Sequence, residues 1–312
     1  MRVSSFRSNF ERLSLSGSSL PSIKLVFTAS FTFFLYDSIT IDLIELWRTK
    51  KKKDNGLKSS SLNRIVTALK SAVNWAVKRG IIDINPFAKL EPLSERDSAK
   101  IVRYLAADER VRLMATLDER EKEIRAKRAN HNEWLKERGL ETFPDIKDED
   151  FADHLKPIII LALSTGIRRK SLLSLEWRDV NFAERMVFVR ADVEKSEKER
   201  HVPLNKLAYE TLSCWHKQSD RTGSQNLVFP SPKTGKRLDN CKTSWETVLK
   251  KAKIENFRWH DMRHDFASNL VMKGVDLNTV RELLGHADIK MTLRYAHLAP
   301  EHKMKAVEML DE

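Results

Sequence analysis

Apolar residues recur at helical spacing along most of the chain and alternate, as a strand would, in only one region. Ile41, Leu43, Ile44 and Trp47 share one helical face; residues 50–54 read as a charged turn, and Asn55-Gly56 breaks the pattern. A second helix is predicted to open at the serines 59–61, with Leu62, Ile65, Val66, Leu69, Val73, Ala76 and Val77 keeping the period until Gly80. Residues 91–103 are polar and contain Pro92, the composition of a linker. Residues 107–138 predict one or two long exposed helices, with Val111, Met114, Leu117 and Ile124 on a rough stripe. Residues 151–163 turn apolar and predict a core helix despite Pro157, followed by a sharp turn at Thr165-Gly166 and a helix that buries Leu172, Leu173 and Leu175. Residues 186–190 and 201–204 alternate and predict a hairpin looping through residues 191–200. Residues 207–215 and 245–252 read as core helices and residues 227–229 as a short strand. Two helices close the set. One runs over residues 260–273 with Met262, Phe266, Leu270 and Val271 inward; the other is capped by Asp276, buries Leu277, Val280, Leu283 and Leu284, and stops at Gly285. The fold class expected is mainly α with a small antiparallel β-sheet.

At 312 residues the chain is long enough for two domains, each with its own core. The pattern divides it into an uncertain segment at residues 1–36, a helical unit at 37–92, a linker at 93–103 and a larger domain at 104–312. Lys plus Arg number 56 against 44 Asp plus Glu, and a net charge of +12 favours a polyanionic partner: nucleic acid or an anionic membrane. Residues 23–36 have the apolar character of a signal-peptide core, with Arg2, Arg7 and Arg12 upstream. Lys24, Thr28, Ser30 and Thr32 interrupt them, however, and the stretch falls short of the roughly 20 residues that span a bilayer, so no membrane association is expected. Cys214 and Cys241 have no paired spacing; neither a disulfide framework nor a cysteine zinc site is indicated, and a cytoplasmic location fits.

The candidate chemistry gathers late in the chain. His260 and Arg263 lie three residues apart and project from one helix face. An imidazole beside a planar, always-charged fork suits a phosphate whose oxygens gain charge during reaction, although such pairs also occur as plain surface features. His286 follows the glycine stop and is expected to face a cleft, while Tyr295 sits in a run anchored by Met291 and Leu293. Arg168, at the start of the helix after Thr165-Gly166, would make an anion site beside free backbone N–H groups. On the outward face of the N-terminal helices, Lys50, Lys51, Lys52, Arg64, Lys70 and Lys78 are candidate DNA-backbone contacts or a solvated face.

HDMRH, then LLGH, then TLRYAHL, in this order, resemble the signature of the tyrosine recombinases, the phage-integrase family. SSLNRIVTALKSAVNWAVKRGIIDINP is similar to the end of that family's helical core-binding domain. The resemblance implies a helical DNA-binding domain followed by an α+β catalytic domain. It gives Arg168 and Arg263 the role of neutralising a DNA phosphate, Tyr295 that of a nucleophile forming a 3′-phosphotyrosine, and His260 that of acid/base for the tyrosine proton. By the same resemblance His286 donates to the phosphate, and Lys195, in KSEKERHVPLN, is the acid for the 5′ oxygen, with Lys198 as local competitor. It implies no metal, ATP or other cofactor. The partners implied are double-stranded attachment sites, a homotetramer joined through the C-terminal helix carrying Ala306, Val307, Met309 and Leu310, and accessory proteins that bend DNA or set direction.

Two departures stand out. Ser171 and Lys170 replace the glutamate and the small residue that the family has after its first catalytic arginine, and the N-terminal half lacks the family's full set of helices. Three other readings compete. His260 and His264 have the spacing of an H-E-x-x-H zinc pair with Asp261 in place of the glutamate. Type IB topoisomerases share this pocket, and a non-catalytic DNA-binding remnant would also carry these motifs. A nucleophilic Tyr295 is expected to have its pKa lowered from about 10 by an electropositive pocket.

Overall fold

A computed structural model describes residues 40–95, 97, 102–193, 199–222 and 226–299. The chain divides into two units, residues 1–100 and 101–312. Residues 1–36, Lys195, Lys198 and the C-terminal tail at 300–312 lie outside the described residues.

In the first unit, α1 (Ile41–Asn55) opens at Thr40, whose hydroxyl accepts from the Leu43 N–H at 3.2 Å, and closes on Gly56 at a φ of 62°. The charged run at 50–54, expected as a turn, is the end of this helix: lysine is a good helix former and is favoured where the helix dipole turns negative. The break acts only at Gly56. Helix α2 (Ser59–Lys78) packs back on α1 through a small core of Ile44, Val66, Phe87 and Leu90. Leu43 and Ile65, both expected inside, are exposed. Arg48 is buried instead, its guanidinium donating to the Glu91 carbonyl at 2.8 Å and to Glu45 at 3.3 Å.

The second unit begins with α3 (Ala107–Lys136), a single helix of 30 residues. It buries Leu113 and Leu117 while Val111, placed on the inner stripe by its spacing, faces solvent. The centre is α4 (Leu155–Thr165), apolar and buried nearly all round, as a helix enclosed by others must be. Its Pro157 falls in the first turn, where the missing N–H would have had no intrahelical partner. After α5 (Arg169–Leu173) and a 3-10 turn come β1 (Val180–Asn181), β2 (Met186–Val189) and β3 (Arg200–Pro203), one antiparallel sheet in that order. Val187 pairs with Val202 and Val189 with Arg200, so the valines of β2 and β3 share the inner face. Residues 227–229 form no strand: Leu227 makes one isolated bridge to Glu176, and the Val228 N–H donates to the Leu175 carbonyl at 2.8 Å.

Helices α6 (Lys206–Thr222), α7 (Lys242–Lys251), α8 (Asp261–Met272) and α9 (Leu277–Leu284) complete the domain, with α6 and α8 both packed on α4. Two 3-10 turns, Ile289–Met291 and Leu293–Leu298, follow α9. A second apolar cluster of Val102, Ala267, Val271, Val280, Leu284 and Tyr295 joins α8, α9 and the last turn. The described residues are thus mainly helical with one small three-stranded sheet. At the N-terminal end of α8, Asp265 is fully buried and accepts from the Leu105 N–H at 2.9 Å and from Arg110 at 2.6 Å.

Gly166 ends α4 at a φ of 61°, and a Cβ there would lie 2.6 Å from Cδ1 of Phe266 on α8. Gly56 has nearly the same backbone angle with nothing within 4 Å. Gly56→Ala is expected to cost about 1 kcal/mol, the left-handed penalty alone. Gly166→Ala adds overpacking of about 1–3 kcal/mol. Urea denaturation of the two variants measures the difference.

Candidate active site

The site is assembled where α4, α8, α9 and the final turns meet. His260 occupies the N-cap of α8, and Arg263, one turn on, points inward and is only 4% exposed. Its guanidinium donates through Nη1 to the Gly166 carbonyl at 2.8 Å and through Nη2 to the Leu284 carbonyl. One side chain therefore ties the end of α4 to the end of α9. Arg168, two residues past Gly166, is the N-cap of α5 and half-buried. Its charge and that of Arg263 both act on His260 and on His286, which brings four of the sequence-predicted residues into one electrostatic neighbourhood.

His260 keeps one edge open to solvent. The surrounding protein and then Arg263 hold its pKa below the ordinary histidine value. His286 was expected in an open cleft and is instead buried. Gly285, at a φ of 64°, turns the chain inward, and the His286 N–H closes on the Arg281 carbonyl at 3.0 Å. Nδ1 of His286 lies 2.9 Å from the hydroxyl of the buried Thr292. Burial, followed by Arg263, Arg168, Arg294 and Arg200, drives its pKa down to about 3.

Tyr295 also departs from expectation. Its side chain is 1% exposed within the second apolar cluster, and burial raises the phenol pKa above 10 against the opposing pull of Arg263 and Arg294. Desolvation of a phenolate outweighs two nearby cations here. The phenol oxygen lies 2.6 Å from Nδ1 of His264, not of His260, and the two histidine rings meet edge to face at 5.1 Å. Burial, then His260 and Arg294, lowers the His264 pKa to about 4. Sequence reasoning weighed His264 only as a zinc ligand; its place one turn after His260 already put both rings on one face. Among the described residues, no group of three or more His, Cys, Asp or Glu side chains could hold a metal ion.

Arg200 and Arg294 were likewise not anticipated. Arg200 donates to the Leu283 carbonyl, and its guanidinium packs so close to Gly285 that a Cβ there would lie 2.7 Å from Nε. Ser171, where the resembled family has a carboxylate, is buried and donates to the Val193 carbonyl at 3.3 Å, just ahead of the stretch holding Lys195.

The basic residues of the first unit fall into two groups. Lys50, Arg64 and Lys78 are exposed and Lys51 half-buried. Lys70 donates to the Ala88 and Leu90 carbonyls at 3.0 and 2.9 Å, and Lys52 to Ser59 at 3.0 Å and Asp97 at 2.8 Å, so both brace their own unit. No helix among the described residues is long and apolar enough to cross a membrane.

Residues 103–302 match the phage integrase family over most of the second unit, and the chain belongs to that family of tyrosine recombinases. It is 32% identical over 170 residues to the integrase of Salmonella phage P22, a match covering 52% of this chain and 44% of that protein. Tyrosine recombinase XerC of Xanthomonas campestris pv. campestris is 30% identical over 257 residues, covering 81% of this chain and 68% of the relative. The fold is shared with the Tn1549 transposon integrase in complex with a circular intermediate DNA, at a TM-score of 0.64 and 20% identity over 88% of this chain and 86% of that one. It is shared too with XerH bound to a palindromic difH substrate, at 0.63 and 17% over 91% and 76%.

Depressed histidines make the fold acid-sensitive. Below the ordinary value of 6.5 an unfolded chain protonates His264 and His286 while the folded one does not, so stability is present above 6.5 and falls as the pH drops toward about 4 and about 3. Urea midpoints should decline across that window, and less steeply in His286→Asn.

Proposed function

We propose that this protein is a site-specific DNA recombinase that cleaves and rejoins DNA through a 3′-phosphotyrosine at Tyr295. The observation that carries this reading is the convergence of Arg168, Arg263, His260 and His286 on one charge neighbourhood, with Tyr295 in the field of Arg263. A phosphodiester is an anionic electrophile with an alkoxide leaving group. Arg168 and Arg263 offset the charge that grows on its non-bridging oxygens, and His260 and His286 add hydrogen bonds to them. Tyr295 attacks phosphorus through its phenol oxygen, its proton passing to a histidine of the HDMRH segment, and Lys195 protonates the departing 5′ oxygen. The phosphotyrosine conserves the bond energy, so a 5′ hydroxyl of another strand reverses the step without ATP. Because Tyr295 is buried, the turn Leu293–Leu298 must shift for the phenol to reach a phosphate.

The DNA partners of the Tn1549 and XerH structures support double-stranded attachment sites as the substrate. In this reading Lys50, Lys51, Arg64 and Lys78 contact its backbone, which the exposure of Lys50, Arg64 and Lys78 supports. Assembly as a homotetramer through the C-terminal helix, accessory proteins for DNA bending or direction, and action in the cytoplasm complete the proposal.

Covalent trapping tests it. On nicked suicide duplexes carrying the attachment DNA, with chelator present, the wild type should form a denaturation-resistant adduct and Tyr295→Phe none. Arg263→Ala should cut adduct formation by about 10²–10³-fold, the usual loss of one charge-stabilising donor. Lys195→Ala should be slow on ordinary DNA and restored on a 5′-bridging phosphorothiolate, whose thiolate leaves without a proton. DNA bound by the wild type without any adduct would overturn the reading.

A further inference from the structure

The side chain in contact with the Tyr295 phenol is one to which the recombinase resemblance and the mechanism above assign no role of its own. His264 Nδ1 stands 2.6 Å from Tyr295 Oη, a short hydrogen bond, across 31 residues of sequence. Both partners are held from behind. Tyr295 is 1% exposed among Val102, Ala267, Val271, Val280 and Leu284, and the His264 ring is pinned edge to face by His260. Helical spacing lets these roles separate: His260 begins α8 at the solvent edge, whereas His264 lies one turn deeper, opposite the final 3-10 turn.

We propose that His264 is a further catalytic residue, the group that takes the proton of the Tyr295 nucleophile, leaving His260 to serve the phosphate. The proposal rests on the reading of Tyr295 as the nucleophile. Of the two senses the bond could take, phenol O–H to imidazole nitrogen is the favoured one, because a phenol is a far stronger acid than a neutral imidazole N–H. His264 is neutral at physiological pH and offers Nδ1 as acceptor. The charged and titratable groups facing it are His260, Asp261 and Arg263 on α8 and Arg294 and Tyr295 on the last turn. Two of these, Arg263 and Arg294, are cations, so an incoming phosphate that offsets their charge raises the basicity of His264 as the reaction begins.

In the step itself the Tyr295 O–H breaks and its proton forms an N–H bond at His264 Nδ1. The phenol oxygen bonds to phosphorus as the bond from phosphorus to the 5′ oxygen breaks, and that oxygen takes a proton from Lys195. In the reverse direction the 5′ hydroxyl returns its proton to Lys195 as its oxygen bonds to phosphorus, and the phenolate it displaces recovers its proton from the His264 imidazolium.

Single-turnover cleavage on suicide duplexes tests this with His264→Asn, whose side-chain carbonyl can still accept the hydrogen bond but cannot carry the proton away. The expected result is unchanged DNA binding by gel shift and cleavage slower by about 10²-fold at neutral pH, the low end of what a positioned base contributes. The deficit should shrink at alkaline pH and when 3,5-difluorotyrosine, a stronger acid, replaces Tyr295 in the same variant. A loss that ignores both pH and fluorination would mark His264 as structural, and cleavage within roughly threefold of wild type would show that it carries no proton; either overturns the proposal. Absence of any adduct in the wild type would strike the nucleophile reading itself. The pair is then judged on the DNA-free protein by ¹⁵N-histidine NMR. An unprotonated Nδ1 on His264 whose shift changes in Tyr295→Phe supports the proposal, and a protonated Nδ1 overturns it.

Discussion

A buried cation at the junction of two helix ends is the constraint on which the site depends. Arg263 cannot shed its charge at any accessible pH, so enclosing it at 4% exposure carries a desolvation cost that its surroundings must offset. Two features do so. Its donors meet the carbonyls of Gly166 and Leu284, and these lie at the C-terminal ends of α4 and α9, where the helix dipoles present partial negative charge. The glycines at both ends allow the approach. Gly166 has no room for a Cβ against Phe266, and Gly285 has none against Arg200. Core packing of α4, the closure of α9 and the placement of Arg263 are therefore one arrangement.

The electrostatics follow from that arrangement. Arg168, Arg200, Arg263 and Arg294 all act on His286, and Ser171, three residues after Arg168, presents no carboxylate but a hydroxyl bonded to the Val193 carbonyl. Of the two buried acids of α8, Asp265 is committed to Leu105 and Arg110, and Asp261 pairs with Arg258. The result is a concentration of positive charge in which the histidines stay neutral, and an anion arriving there removes repulsion as well as gaining hydrogen bonds. Tyr295 is subject to two opposed influences, burial and the nearby arginines, and burial wins while the phenol lies in the apolar cluster.

Much of this was legible in the linear pattern where the physics is local. Periodicity located the helices, Asp276 and Gly285 marked both ends of α9, and alternation found β2 and β3. Local signals failed where packing overrode them. The lysine run at 50–54 extends α1 because Gly56, not charge, is the stop; Val111 lies outside because α3 meets the core along Leu113 and Leu117; and residues 227–229 find a single bridge in place of a strand partner. Lys52 and Lys70 looked like an open basic face and turn out to hold carbonyls and an aspartate of their own unit.

The order of the motifs, and with it the family, was determined by the sequence alone, since the residues that carry it are read by type and spacing without reference to packing. So was the shared face of His260, Arg263 and His264, because helical geometry follows from separation along the chain. Only the tertiary structure decided which histidine meets the tyrosine, that His286 is enclosed, and that the Tyr295 phenol is made a weaker acid rather than a stronger one. Those outcomes depend on contacts between residues far apart in the chain, 31 positions for His264 and Tyr295 and 97 for Arg263 and Gly166, and on desolvation, which no spacing encodes.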